Sequence, residues 1–286
     1  MSKSKMFLPG CCLAVSLLFF TASARSQTYT FTGIDVPNAQ ETVCMDINDG
    51  GNAVGYYVED GVYHGFFLKN GTFTTLTFPD AGSTLAYGIN DFDQIVGSYG
   101  EGGLFGFEIS GGRFVGTIND PNGETYLWGI ANTGEIVGSY TDTSGALHGF
   151  TDIGGTFTTI NVPNAETTEI FGMNRLGQLV GIAEDHARNE YGFRYTNGRF
   201  LVFSFPGAGW TSANRINDQG EIVGSYAASV SGPFSGFTQT GSVFTTVMFP
   251  GSTDTQVLGL NSAGVIVGQY TDASGVIHGF MATPQP

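Results

Sequence analysis

The segment GINDFDQIVGSY, from Gly88 to Tyr99, returns as GIANTGEIVGSY from Gly129 and as RINDQGEIVGSY from Arg215. Looser copies complete a set that begins at Asp46, Gly88, Gly129, Gly172, Arg215 and Gly259. The glycine of the IVG-like step recurs in all of them, at Gly55, Gly97, Gly138, Gly181, Gly224 and Gly268. The copies are about 43 residues apart, and self-similarity at such a fixed period indicates one structural unit repeated six times.

Three further columns recur in every unit. A Gly-Phe pair ends at Phe66, Phe107, Phe150, Phe193, Phe237 and Phe280; a threonine recurs at Thr42, Thr84, Thr125, Thr168, Thr211 and Thr255; a proline recurs at Pro37, Pro79, Pro121, Pro163, Pro206 and Pro250. Between these marks lie short runs rich in β-branched and aromatic residues, separated by Asn- and Gly-rich turns. The pattern predicts four antiparallel strands in each unit.

Four strands in a repeat of 40 to 50 residues are typical of a β-propeller blade. The chain ends supply a second argument, because residues 27–37 match only the fourth strand of a unit, whereas the last unit stops after its third. We therefore predict an all-β, six-bladed β-propeller over residues 27–286, closed by the N-terminal strand completing the last blade. A β-solenoid is the alternative fold, but a solenoid would not need an N-terminal strand to complete its last unit.

Composition excludes several other classes. The 286 residues include 44 Gly and 24 Phe but only 12% charged residues, which is incompatible with a coiled coil, a helical bundle or an acidic disordered tail.

The first 26 residues have the basic start, short apolar core and small-residue end of a secretory signal peptide. Cleavage after Ala24 and cleavage after Ser26 fit equally well. Later in the chain no apolar run is long enough to cross a bilayer. The sequence therefore predicts a secreted protein, extracellular or periplasmic, without membrane insertion.

The net charge of −15 bears on the partners. Signal removal at Ser26 would take three of the 10 basic residues and none of the 25 acidic ones, which makes the mature chain still more acidic. Binding of nucleic acid through a basic patch is thus disfavoured. Cys44 alone would remain of the cysteines, so no internal disulfide is expected. We also expect a monomer.

The IN-x-x-G-x-[IV]-VG core and the [HFYS]-G-F step resemble the HAF-type extracellular repeats, in which the second motif commonly reads His-Ala-Phe. Here glycine replaces the alanine in every unit, and the histidine survives only at His64, His148 and His278. The resemblance implies a secreted repeat protein of propeller type and no established reaction.

One column is acidic in five of the six units: Glu59, Glu101, Asp142, Asp185 and Asp272, with Ala228 as the exception. In a propeller it predicts an acidic ring on one rim, in the loop between the second and third strands. Turn formation explains the aspartates, since Asp favours such turns, whereas glutamate suits that local role less well. The ring is therefore also a candidate for binding a cation or a partner. It lacks the dense ligand spacing of a calcium loop, so only weak Ca²⁺ binding is expected and no cofactor is predicted.

The same rim carries the connections between units, where Trp210 stands out in FPGAGWT. An exposed tryptophan could stack on a sugar or anchor a protein, or it could fold onto its own blade. Nearby in sequence, the polar loop EDHARNEY brings His186 and Arg188 beside acidic residues and adds both to the candidate binding site. The histidines of the Gly-Phe column are expected to be structural.

We identify no catalytic residue, because no nucleophile elbow, zinc-binding helix, phosphate loop or dinucleotide fingerprint is present. The leading hypothesis is a secreted, non-enzymatic propeller that binds a carbohydrate or protein partner on its acidic loop face. An exported polysaccharide hydrolase or lyase and a structural envelope protein are the alternatives. An enzyme would bring polar residues together at the axis, with one carboxylate of raised pKa.

Overall fold

The computed structural model describes residues 28–100 and 105–285, and in these residues the chain forms β-strands and turns without any helix. The signal peptide predicted for residues 1–26 and the candidate Glu101 lie outside the described residues. Within them, no helix has the length and apolar character that a membrane span requires.

Residues 28–100 and 105–285 form twenty-four strands. The chain enters through β1 (Tyr29–Ile34). Blade 1 consists of β2 (Glu41–Ile47), β3 (Ala53–Glu59), β4 (Val62–Lys69) and β5 (Thr72–Leu76). Blade 2 consists of β6 (Thr84–Ile89), β7 (Ile95–Tyr99), β8 (Phe105–Ser110) and β9 (Arg113–Ile118). Blade 3 consists of β10 (Glu124–Ile130), β11 (Ile136–Thr141), β12 (Leu147–Ile153) and β13 (Thr156–Thr159).

The second half repeats the arrangement. Blade 4 consists of β14 (Ala165–Met173), β15 (Leu179–Asp185), β16 (Glu190–Thr196) and β17 (Arg199–Phe203). Blade 5 consists of β18 (Trp210–Ile216), β19 (Ile222–Ala227), β20 (Ser235–Thr240) and β21 (Val243–Val247). Blade 6 consists of β22 (Asp254–Leu260), β23 (Ile266–Thr271), β24 (Ile277–Pro284) and the N-terminal β1.

The predicted propeller is confirmed, including its closure. Each blade is an antiparallel meander, and β1 pairs along its whole length with β24, from Tyr29 opposite Pro284 to Ile34 opposite Gly279. Blades 4 and 5 are further joined by a single parallel pair, Glu190 with Trp210. Because the N-terminal strand fills the open edge of the last blade, the ring closes without an unpaired strand there.

The blades are held together by one recurring apolar contact. The phenylalanine of every Gly-Phe pair is fully buried. It packs with the valine of the IVG-like step of the preceding blade, as Phe107 does with Val54 and Phe66 with Val267 across the closure. The packing role expected for the Gly-Phe column is therefore confirmed, and each phenylalanine fills the wedge between two sheets.

The glycine of the IVG-like step is required by this packing. At Gly97, an added Cβ would collide with the carbonyl oxygen of Leu85 on the neighbouring strand and lie 2.8 Å from the Phe107 ring. Any side chain here would displace either the strand pairing or the buried ring, which explains why the column stays glycine in all six units.

The threonine and proline columns act together at the connection between two blades. In each unit the threonine hydroxyl oxygen accepts a hydrogen bond from the backbone N–H of the residue before the proline, as in Val36 to Thr42 (3.1 Å) and Phe205 to Thr211 (3.0 Å). All six copies make this bond. It fixes the angle at which the chain passes from the outer strand of one blade to the inner strand of the next.

Asparagines connect neighbouring blades on the other face of the propeller, in the turns between the first and second strands. The side chain of Asn48 donates to the Asn90 carbonyl (3.0 Å), and Asn261 donates to the Asn48 carbonyl (3.2 Å) across the ring closure. Five blades carry this asparagine, and Ala131 replaces it in blade 3. The Asn-Asp-x-Gly turns thus serve as contacts between blades as well as turns within them.

Removal of residues 1–36 should destabilise the whole ring, because it deletes β1 together with the contacts of Phe31 to Phe249 (5.4 Å) and Phe280 (5.7 Å). Losing a packed aromatic costs about 3–5 kcal/mol, which corresponds to a fall in melting temperature of about 10 °C in a protein of this size. The fall in melting temperature is measured by thermal denaturation monitored with circular dichroism, and a chain that begins at residue 27 is the control. Equal melting temperatures would contradict closure by β1.

Candidate functional site

Every inner strand carries a β-bulge at the same place. In β10, for example, the pairing with β11 skips from Leu127 to Gly129 and leaves Trp128 without a partner residue. The six bulge residues are Met45, Tyr87, Trp128, Phe171, Asn214 and Leu258. Bulges of this kind redirect side chains and are common beside functional sites. Here they surround the axis of the propeller.

The residue after each bulge is glycine in four units, and the two exceptions meet at the axis. Asp46 comes from blade 1 and Arg215 from blade 5. The Arg215 Nε lies 3.1 Å from an Asp46 carboxylate oxygen, and both side chains are about nine-tenths buried. Burial raises the pKa of Asp46, and the neighbouring Arg215 charge opposes that rise.

Arg215 also donates hydrogen bonds to backbone carbonyl oxygens of the bulge residues. Its guanidinium donates to the carbonyl oxygens of Tyr87 (2.7 Å), Trp128 (3.0 Å), Asn214 (2.9 Å) and Phe171. These are the carbonyls of four bulge residues, from four different blades. One side chain therefore satisfies four buried acceptors and closes the channel with a polar floor.

Above this floor lies a cavity of about 210 Å³, which we call the axial pocket. It is lined by Met45, Trp128, Phe171, Trp210, Ser212, Asn214, Arg215, Gln256 and Leu258. Trp128 meets Phe171 edge to face, with ring centroids 5.4 Å apart, and stacks in parallel with Tyr126 at 5.6 Å. An apolar, aromatic concavity with a few polar side chains is the usual character of a small-molecule site.

A short hydrogen-bond relay supports the pocket wall. The Trp128 indole N–H donates to the Ser139 hydroxyl (3.0 Å), which donates to a carboxylate oxygen of Glu169 (3.3 Å). Glu169 occupies in β14 the place that Tyr126 has in β10. Burial raises the pKa of Glu169 to about 7, although the Ser139 bond opposes the rise, and the charge of Glu190 contributes further. A carboxyl group that can hold or release a proton near neutral pH therefore lies behind the wall, connected to Trp128 through Ser139.

Trp210, the strongest sequence candidate, belongs to two cavities. Besides the axial pocket, it lines a groove of about 340 Å³ between blades 4 and 5, which we call the Trp210 groove. The groove is lined by Glu184, Arg188, Glu190, Gly209, Trp210, Ala228, Ser229 and Val230. Trp210 also packs on Phe234, with ring centroids 4.9 Å apart. The structure thus brings together Trp210 and Arg188, which the sequence placed in neighbouring units.

The acidic column lies at the loops between second and third strands, on the rim that carries the connections between blades. The Asp142 carboxylate accepts from the backbone N–H groups of Ser144 and Ala146, and Asp272 does the same with Ser274 and Val276. The Ser274 hydroxyl bond is the main reason that the pKa of Asp272 falls to about 2. These aspartates are satisfied within their own turns.

Asp185 forms the same turn, accepting from the backbone N–H groups of Ala187 and Asn189. The Asn189 side chain also donates to it and lowers its pKa. Glu59 differs, because it is exposed at the end of β3. Binding of a cation or partner by this column stays a prediction, as does the role of His186, whose exposed ring lies 3.9 Å from a Glu166 oxygen. Arg188 is exposed and pairs with Glu184 at 3.0 Å.

The histidines of the Gly-Phe column make local contacts, as expected. His148 lies 3.2 Å from Asp142 and 2.9 Å from the Asn161 amide, and His278 lies 3.0 Å from Asp35. In the described part of the chain, no group of three or more His, Cys, Asp or Glu side chains is arranged to hold a metal ion. Cys44 is buried and free, and burial raises the pKa of its thiol.

Sequence reasoning missed most of the axial pocket. Trp128, Phe171, Asn214 and Gln256 were not singled out, because the inner strand reads as ordinary packing. A signal was nevertheless present: the bulge position differs in every unit, while the threonine that precedes it in the same strand is kept in all six. A variable position beside a kept one marks the face that the repeat does not need for packing.

No protein-family model and no curated protein matches this sequence. The resemblance to HAF-type repeats is therefore not supported by a family match.

Solved structures do match. The virginiamycin B lyase from Staphylococcus aureus, solved with quinupristin, is 11% identical with a TM-score of 0.53 over 90% of this chain and 99% of that one. The Aleuria aurantia lectin, solved with Fucα1-6GlcNAc, is 10% identical with a TM-score of 0.54 over 86% and 95%. TolB from Acinetobacter baumannii is 12% identical with a TM-score of 0.56 over 83% and 64%. At such identities the likeness concerns the fold, and the chain has the fold of a β-propeller.

Arg215→Met should be strongly destabilising, because it leaves the Asp46 carboxylate and four carbonyls buried without their partner. Breaking a buried ion pair from one side costs about 3–5 kcal/mol. The cost should shrink as the pH falls through the raised pKa of Asp46 and be smallest below about 3.9, the ordinary pKa of aspartate, because protonation of Asp46 removes the unpaired charge. Urea denaturation at pH 7 and pH 3.5 measures both effects.

Arg175→Met is the matched control, since Arg175 pairs with Asp218 on the surface and exposed ion pairs contribute little to stability. Equal losses in the two variants would contradict the central role of Arg215.

Glu169→Gln should stabilise the protein in alkaline solution. Because the folded pKa is raised, the wild type is most stable below the ordinary glutamate pKa of about 4.3 and loses stability as the pH rises through about 7. Glutamine stays neutral, so the variant should gain roughly 1–3 kcal/mol at pH 8 and nothing at pH 4. Denaturation at both values tests this. Glu166→Gln, an exposed glutamate of the same blade, should show no such pH-dependent gain, and an equal gain there would refute the assignment.

Proposed function

We propose that this protein binds carbohydrate and that one sugar ring occupies the axial pocket. The observation that supports the proposal is an aromatic cavity at the axis whose floor is Arg215, paired with Asp46, and whose walls include Trp128, Phe171 and Trp210.

The chemistry of the walls fits a sugar. A pyranose ring has apolar C–H faces and a polar hydroxyl edge, so it needs aromatic surface and hydrogen-bonding groups side by side. The indole and phenyl rings supply the first, and Ser212, Asn214 and Gln256 supply the second. A cavity of 210 Å³ holds the equivalent of about seven waters at 30 Å³ each, which suits one small ring better than a peptide.

The comparisons support the class of ligand only. The Aleuria aurantia lectin places a glycan on a propeller of similar architecture, and the net charge of −15 favours neutral or cationic ligands over anionic ones. The predicted export and the acidic rim belong to the same proposal: a secreted protein that presents this face to glycans outside the cytoplasm. A protein partner at the rim is the competing outcome.

A second candidate function is supported by Glu169. A carboxyl group with a pKa of about 7, beside the aromatic wall, has the property expected of a general acid in glycoside hydrolysis. We therefore keep a polysaccharide hydrolase or lyase as the alternative, with Glu169 as the carboxyl group that holds a proton behind the wall of the axial pocket. Release of sugar that Glu169→Gln abolishes would favour this alternative over simple binding.

Trp128→Ala should weaken glycan binding at least tenfold, or by about 1.4 kcal/mol, because it removes the central aromatic wall of the axial pocket. The purified protein is applied to a glycan array that includes Fucα1-6GlcNAc, each captured glycan is titrated by calorimetry, and the supernatant is assayed for released sugar. Phe92→Ala is the control, because Phe92 is exposed in a turn on the opposite face of the propeller. Capture of no glycan, or equal affinity of Trp128→Ala and wild type, would contradict the proposal.

A further inference from the structure

The axial pocket and the Trp210 groove meet at one side chain. Trp210 is the first residue of β18 and lines both cavities. From the indole, the axial pocket continues to Ser212 and Asn214 on the same strand, while the groove continues to Glu190 in blade 4 and Ser229 in blade 5. A ligand that fills the pocket therefore reaches the groove by passing a single tryptophan.

The groove exists because two neighbouring units depart from the repeat at this point. Other units have Glu41, Ser83, Glu124, Thr167 and Asp254 in the column of Trp210. The acidic column is interrupted in blade 5 by the small Ala228, which lines the groove. The single parallel pair between Glu190 and Trp210 holds the two blades together beneath it. Departures from the repeat thus accumulate at one place on the ring.

One carboxylate oxygen in the groove, the buried Glu190 Oε2, has no hydrogen-bond partner. The Trp210 indole N–H interacts with the same carboxyl group and favours its ionised form, and Arg188 is engaged with the Glu184 Oε1 at 3.0 Å. A buried carboxylate oxygen without a donor is costly in a folded protein. Since the indole serves the Glu190 carboxyl group only in part, the donor for Oε2 is best supplied from outside the chain.

We propose that the Trp210 groove is a second sugar subsite, so that the ligand is an oligosaccharide of at least two units that passes Trp210 and donates a hydrogen bond to Glu190. This inference rests on the proposed sugar binding in the axial pocket. The donor is a hydroxyl or an amino group of the second sugar. A carboxylate acceptor makes such a bond stronger than a neutral one, which gives the groove a preference for donor-rich sugars.

The test compares matched monosaccharides and β1,4-linked disaccharides by calorimetry: glucose with cellobiose, N-acetylglucosamine with diacetylchitobiose, and glucosamine with chitobiose. For the wild type we expect the disaccharide of at least one pair to bind tenfold or more tightly than its monosaccharide. Glu190→Leu should reduce that gain to less than threefold and leave the monosaccharide affinity unchanged. A larger gain for chitobiose than for cellobiose identifies an amino group as the donor, and equal gains identify a hydroxyl.

Two controls keep the result interpretable. Glu221→Leu removes another glutamate whose Oε1 is buried without a partner, but Glu221 lies in the turn before β19, on the opposite face, so the disaccharide gain should persist. Glu190→Gln serves as the second variant if Glu190→Leu fails to fold, and it should lower the gain in the same direction.

The outcomes separate the two proposals. Monosaccharide binding without any gain for a disaccharide overturns the second subsite and leaves the axial pocket standing. A gain that survives both Glu190 variants overturns the role of Glu190. If neither member of any pair binds to the wild type, the sugar-binding proposal and the subsite fall together.

Discussion

The architecture of the axis depends on the Arg215 guanidinium. Six inner strands meet there, and each carries a bulge at which one residue is skipped in the pairing with the next strand. The carbonyl oxygens of four of these skipped residues accept hydrogen bonds from Arg215, and Asp46 neutralises its charge. Without such a donor, several buried acceptors would be unsatisfied in the narrowest part of the protein. The same bulges turn Trp128 and Phe171 toward the axis, so the floor and the walls of the pocket have a common origin.

Around this centre the ring is held by contacts that repeat with the sequence. The buried phenylalanine and valine join adjacent sheets, the threonine and proline set the passage between blades, and the asparagines bridge the turns on the opposite face. Blade 3 lacks the asparagine bridge because Ala131 replaces that residue, and blades 4 and 5 have an additional strand pair. The ring is therefore regular in its packing and irregular where the candidate site lies.

This division explains what could be predicted from the sequence. The fold and the closing strand follow from the repeat itself, because every unit must bury the same phenylalanine against the same glycine. The axial pocket could not be predicted, because a bulge changes which side chains face the channel, and a pattern of alternating residues does not reveal it. Asp46 and Arg215 were visible as exceptions in a glycine column, yet only the closed ring brings blade 1 and blade 5 face to face. The aspartates of the acidic column were readable as turn residues, and their hydrogen bonds agree with that interpretation.

The sequence contains two tryptophans, Trp128 and Trp210, and both line the axial pocket. Intrinsic tryptophan fluorescence therefore reports on this pocket and, through Trp210, on the adjoining Trp210 groove. The most direct measurement is a titration with the glycan that binds most tightly, following emission and quenching by acrylamide. If the sugar occupies the axial pocket, we expect a saturable change in emission and protection from acrylamide, with the same midpoint as the calorimetric titration. Binding seen by calorimetry without either optical change would place the sugar elsewhere and contradict the assignment of the axial pocket.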